Sequence, residues 1–318
     1  MLKAVTTLKN IRNGLVLAFL LAICSTRIVR AHDGQPPAPH DLWSAWNWDF
    51  VVLVSLVLSA CIYTAGVREQ QRRAGARPRV LRWRAASFAA GLITLFVALI
   101  SPLDALSTAL FSAHMVQHML LLVIVPPLLI LGISPGSFLF AFDTLARRKL
   151  GQWWGRITKL KSMWRLFTHP VVAWGLNVFV LWTWHVPRLY QAALENEVLH
   201  LLEHLSFVTT SLLFWWTVLP PEKHLHRGDP GVLALFTMAL QGGLLGALIT
   251  FAPTPWYGAY AWTTQAWGLS PLEDQQLAGA IMWIPVGTIY TLAALMLFLR
   301  RLAWIDRIAS QREGNYRN

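Results

Sequence analysis

Two histidine pairs, His114-Met115-Val116-Gln117-His118 and His200-Leu201-Leu202-Glu203-His204, lie inside long apolar runs of this 318-residue chain. A four-residue spacing puts both imidazoles of a pair on one helix face, about 6 Å apart. Imidazole is a ligand for copper, zinc, iron and nickel, and a methionine thioether adds selectivity for Cu(I). Facing rings on two helices also suit the iron of a haem. Ionisable groups inside membrane helices are costly and rare, and they mark function. Two such pairs on separate runs point to one site assembled between helices. The plainer reading is that each pair hydrogen-bonds a neighbouring helix or lines a wet cavity.

The elements that must position these rings are membrane spans. Hydrophobic residues make up 55% of the chain and charged residues only 13%, against about 25% charged in a soluble domain. The expected fold is all-α, a polytopic membrane bundle of about seven transmembrane helices after an N-terminal signal segment. Lys3, Lys9 and Arg12 precede the apolar run Gly14–Cys24, and Val29-Arg30-Ala31 offers a cleavage site. The division is then 1–31 signal peptide, 32–48 outer segment, 49–300 membrane domain and 301–318 cytosolic tail. Hydropathy places spans at 49–66, 85–102, 106–133, 171–186, 198–219, 231–252 and 277–300, most near the roughly 20 residues that cross a bilayer. The fourth looks short, so its ends are expected to extend outward. Pro126-Pro127 should bend or break the third, and Gly242, Gly243 and Gly246 make a small-residue packing face on the sixth.

The net charge of +12 is unevenly placed. Seven arginines crowd Arg68–Arg84, and Arg147, Arg148, Lys149, Arg156, Lys159, Lys161 and Arg165 share another loop. Bases in alternate loops follow the positive-inside pattern of a bacterial inner membrane rather than a nucleic-acid surface. This orientation puts the N-terminus outside and the C-terminus in the cytosol. Trp153, Trp154 and Trp164 alternate with bases, as in a helix lying in the headgroup plane.

Topology brings the chemistry to one depth. The third and fifth spans enter from outside and the fourth leaves outward, so His114, His118, His185, His200 and His204 share a level near the outer leaflet. Met282 lies at a comparable depth on the seventh span, and Met115 and Met119 adjoin the first pair. Glu203 and Asp274 are candidate acceptors that would orient ring N–H groups from outside the ligand set. His169, His224 and His226 sit beside bases and read as solvated surface. His32 and His40 belong to a Pro-rich outer segment, where His32 would bind Cu(II) only as a free terminus. The sequence has no P-loop, no CxxC and no His-Glu-x-x-His, and no enzyme activity is expected. Two cysteines, Cys24 and Cys61, make no disulfide framework.

Four ordered motifs carry a resemblance. These are His114-Met115-Val116-Gln117-His118-Met119-Leu120-Leu121 before Pro126-Pro127, and Trp184-His185-Val186-Pro187 with Leu189-Tyr190. They continue with His200 to His204 leading to Phe214-Trp215-Trp216, and Asp274-Gln275-Gln276-Leu277-Ala278-Gly279 leading to Met282-Trp283. In this order, over about residues 43–300, the chain resembles the CtaG family of cytochrome c oxidase assembly proteins. The resemblance implies a multi-span bacterial membrane protein needed for active haem–copper oxidase, with copper insertion as its role and oxidase subunits as partners. Copper bound by His114, His118, His200 and His204, with His185 or Met282 completing the site, is the leading expectation. A haem-binding redox protein and a metal-free assembly scaffold stand as alternatives, and a copper transporter ranks lower because the inner halves of the spans are apolar.

Overall fold

A computed structural model of the protein describes residues 36–74, 78–133, 137–219 and 231–316. The expected signal peptide, His32 and the loop bearing His224 and His226 lie outside the described residues. Among those described, the chain is helical and has no strand.

The helices are α1 (Phe50–Ala74), α2 (Pro78–Leu99), α3 (Pro102–Ala109), α4 (Phe111–Met119), α5 (Val125–Gly132), α6 (Thr144–Arg156) and α7 (Thr158–Phe167). After them come α8 (Pro170–Trp184), α9 (Pro187–Glu195), α10 (Glu197–Val218), α11 (Gly231–Thr250) and α12 (Pro271–Tyr316). Among the described residues, six segments are long and apolar enough to cross a membrane: Phe50–Arg73, Val80–Leu99, Phe111–Gly132, Glu197–Val218, Gly231–Thr250 and Pro271–Arg307. A seventh is possible if Lys161–Phe167 and Pro170–Trp184, bent by 68° at their junction, act as one span. At the N-terminal end of the fourth span, the helix that would extend it, α7, joins at this bend. The 15 residues of α8 reach only about 22 Å at 1.5 Å per residue. The turned segment, α7, carries Trp164, Leu166 and Phe167 as exposed apolar side chains beside its bases, the composition of a helix lying in an interface.

The third span departs from a single helix beginning near residue 106. Leu110 is extended (φ −130°, ψ 130°) and separates α3 from α4. Ser101 caps α3, its hydroxyl accepting from the Leu103 N–H, and Pro102 starts the helix where its missing N–H costs nothing. Farther on, a π-helical turn at Leu120–Ile124 precedes α5. The wider turn lies just ahead of Pro126-Pro127, so the expected disruption takes the form of a local bulge within one continuous span. The Ser211 hydroxyl of α10 donates to the Leu122 carbonyl inside that turn.

Two close approaches lock the frame. The ring of Tyr63 stacks on Phe88 at 3.9 Å and its hydroxyl donates to the Gly132 carbonyl at 2.8 Å, joining α1, α2 and α5. A Cβ on Gly279 would lie 2.6 Å from the Gly246 carbonyl oxygen and from the Thr250 amide, so α11 and α12 touch backbone to backbone there. Of the three glycines expected to form the packing face, Gly246 makes this approach, Gly242 stands at ordinary contact with Val286, and Gly243 meets nothing within 4 Å. The large buried side chains, among them Phe111, Phe207, Phe214 and Tyr190, fill the space between α4, α9, α10 and α12. Outward faces of the spans expose Leu201, Leu202, Leu205, Leu240, Leu244, Leu292 and Leu295, as lipid contact requires.

Candidate metal centre

The position of the first histidine pair starts at the break before α4. Asp274 of α12 is fully buried, and its carboxylate accepts from the Phe111 N–H at 2.6 Å, the Ser112 N–H at 3.1 Å and the Ser112 hydroxyl at 2.5 Å. These are free donors at the positive end of the helix dipole. Both Asp274 oxygens are thereby taken up by α4. The sequence reading made Asp274 an acceptor for a ring N–H; it instead holds the helix that carries His114 and His118. The second pair is phased in a similar way. Asn196 caps α10 by accepting from the Val198 and Leu199 N–H groups at 3.0 and 3.1 Å, one turn ahead of His200.

The four rings converge. His114 and His118 are fully buried and their Nε2 atoms stand 2.7 Å apart. Ring centroids lie 5.4 Å apart for His118 and His204, 5.5 Å for His114 and His200, and 4.2 Å for His200 and His204. Among the described residues, two groups bring their ligand atoms within 4.8 Å of one another: His114, His118 and His204, and His114, His200 and Glu203.

Glu203 was expected outside the ligand set. It faces the cluster itself, fully buried, with Oε1 3.7 Å from His118 Nε2 and neither oxygen hydrogen-bonded. A buried carboxylate without partners is costly unless a proton or a cation meets it. His118 Nδ1, His200 Nε2 and His204 Nε2 are likewise buried without partners, so unmade polar contacts concentrate at one point.

Two expected ligands stand apart from these groups. His185 is buried at the end of α8, 6.3 Å from His118 between centroids. Its Nδ1 lies 2.6 Å from the Leu181 carbonyl and must carry the proton, because a carbonyl only accepts. Its Nε2 is left free. Met282 is fully buried but lies in the apolar core, lining a cavity with Met119 and Met238. Met115, also buried, packs in the same core. His169 and His40 are exposed, the latter 3.1 Å from Asp41.

A tyrosine cluster that sequence reasoning passed over closes the site. The Tyr260 hydroxyl donates to the Ser107 carbonyl at 3.1 Å, lies 2.8 Å from the Tyr190 hydroxyl, and lies 3.1 Å from His114 Nδ1. With its one proton on Ser107, Tyr260 must accept from His114, which puts the His114 proton on Nδ1 and leaves Nε2 as a lone pair facing the cluster. Burial pushes the phenols of Tyr257 and Tyr260 up from the usual range, so both remain neutral hydrogen-bonding groups. Tyr257 donates to the His185 carbonyl at 2.9 Å. Their loop is pinned by Thr263 to the Ala109 carbonyl at 2.7 Å and by the Trp256 N–H to Gln275 at 2.6 Å. The available signal was the run Trp256-Tyr257-Gly258-Ala259-Tyr260, aromatic where a loop is ordinarily polar.

The chain is 24% identical over 294 residues to an uncharacterised protein of Mycobacterium bovis, covering 89% of this chain and 43% of that protein. It is 25% identical over 283 residues to an uncharacterised protein of Mycobacterium leprae, covering 82% and 40%. It thus spans less than half the length of these curated relatives. No solved structure matches it. The model of the cytochrome c oxidase caa3 assembly factors matches residues 61–303, a stretch that holds the histidine cluster, Glu203, Asp274 and the tyrosines that close it; this membrane protein belongs to that family.

Proposed function

We propose that the protein binds copper at the cluster of His114, His118, His200 and His204 and delivers it to a haem–copper oxidase during assembly. The observation that carries this reading is the convergence of three imidazoles, His114, His118 and His204, with ligand atoms within 4.8 Å, beside a buried carboxylate that lacks any hydrogen bond. Imidazole nitrogens suit both copper states, and carboxylate oxygen adds a donor favoured by Cu(II). Membership in an oxidase assembly factor family supports the oxidase as the recipient in this reading. The alternation of basic loops supports an orientation with the cluster toward the outer face and the C-terminus in the cytosol. Delivery requires exchangeable ligands, and two overlapping ligand groups that share His114 provide alternative partners for one ion.

Close contact of the rings favours an ion over a haem. A porphyrin held by α4 and α10 would have to separate their histidines, whereas the rings of His118 and His204 are 5.4 Å apart and nearly perpendicular at 89°.

The test is metal and haem analysis of detergent-purified protein beside the His114→Ala/His118→Ala/His200→Ala/His204→Ala variant. Copper in the wild type that is lost in the variant, with loss of oxidase assembly in cells, is the expected result. Haem with the same dependence moves the protein to the redox class. A folded wild type that takes neither, and assembly unaffected by the variant, leaves a metal-free scaffold.

A further inference from the structure

An interior cavity of about 20 Å³ has room for one water-sized occupant. Met119, Met238 and Met282 line it, from the third span, α11 and α12. Asn177 of α8 lines it as well, is 1% exposed, and has neither Oδ1 nor Nδ2 hydrogen-bonded. We propose that this methionine cavity is a second metal site, one that takes a soft monovalent ion, Cu(I) or its analogue Ag(I).

Donor chemistry sets the ion class. Thioether sulphur selects Cu(I) over harder ions. The lining includes no Asp, Glu, Cys or His. Burying an ion among neutral donors costs more as its charge rises, so a monovalent ion is accepted where Zn(II) or Cu(II) is not. The Asn177 carbonyl oxygen adds a neutral fourth donor. Methionine is ordinarily a flexible gap-filler in cores, and three gap-fillers would explain an empty apolar void. They do not explain an amide buried at that void without a partner, since buried amides are nearly always hydrogen-bonded.

Placement connects the cavity to the first site. Met119 follows His118 directly, and Leu181, whose carbonyl holds His185 Nδ1, lines the cavity wall. An ion leaving the His118 ligand would find the first sulphur donor, Met119, on the next residue of the same helix. The source of the ion rests on the copper reading above; the cavity site itself does not.

X-ray absorption of the detergent-purified full chain, loaded with Cu(I) or Ag(I) under reducing conditions, tests the proposal. The wild type should show sulphur as well as nitrogen in the first coordination shell. Met119→Leu/Met238→Leu/Met282→Leu, which conserves volume, should lose the sulphur and one ion per chain while keeping the nitrogen. The quadruple histidine variant should keep a sulphur-bound ion. Sulphur absent from the wild type, or unchanged in the methionine variant, overturns the proposal and leaves a water bound to Asn177. Nitrogen absent from the wild type, with sulphur present, overturns the histidine reading and leaves this one standing.

Discussion

The carboxylate of Asp274 accepts the backbone N–H of Phe111 at 2.6 Å across 163 residues of sequence. One side chain of α12 thereby sets where α4 begins, and so where His114 and His118 point. Removing this cap should be felt in stability and in metal binding together. Asp274→Ala should destabilise the folded protein by about 1–2 kcal/mol, as lost N-caps do, and Asp274→Asn by less because it keeps an acceptor. Thermal unfolding in detergent, with and without copper, measures both.

Tyr260 fixes the tautomer of His114 from 3.1 Å without touching the expected ion. Tyr260→Phe keeps the ring and removes the acceptor. Copper affinity should fall about 10–100-fold, the usual cost of losing a partner behind a ligand histidine, and the metal-free protein should lose about 1–3 kcal/mol, because buried partners of the hydroxyl are left unsatisfied. Competition titration against a chromophoric chelator gives the affinity. An unchanged affinity would mean that the His114 proton is held by something else.

Glu203 lies buried and unpartnered beside three histidines. Copper present at a hundredfold excess over its Kd stabilises a protein by about 2.7 kcal/mol. If Glu203→Gln weakens Cu(II) binding tenfold, about 1.4 kcal/mol of that gain disappears. The metal-free variant should be no less stable than wild type, because an unpartnered buried carboxyl is replaced by a neutral amide of the same shape. Unfolding curves at matched free copper separate the two effects.

The contact of α11 with α12 sets the depth of Met238 and Met282. Gly279→Ala would drive a methyl group to 2.6 Å from the Gly246 carbonyl and should cost about 1–3 kcal/mol by overpacking. Gly243→Ala, which meets nothing within 4 Å, should be neutral. Comparison of their unfolding temperatures decides whether this seam is as tight as its geometry.

Local pattern made much of the protein legible. Long apolar runs with few charges can only be membrane helices, because an unpaired backbone in lipid must close its hydrogen bonds within one segment. The i, i+4 spacing put His114 with His118 and His200 with His204 because neighbours on one helix face depend on sequence alone. What periodicity cannot carry is the azimuth of one helix against another, or a break imposed from outside. The extended Leu110 arises where Asp274 caps a new helix from α12, and the bend between α7 and α8 is likewise absent from their hydropathy.

The sequence by itself therefore determined the helical membrane class, the two histidine pairs and the family motifs, all of which rest on spacing along one chain segment. Only the tertiary structure decided that Glu203 faces the imidazoles, that Tyr260 accepts a hydrogen bond from Nδ1 of His114, and that Met282 joins Met119 and Met238 instead of the histidines. Each of those outcomes depends on which faces of separate helices meet, and close packing between helices sets that relation.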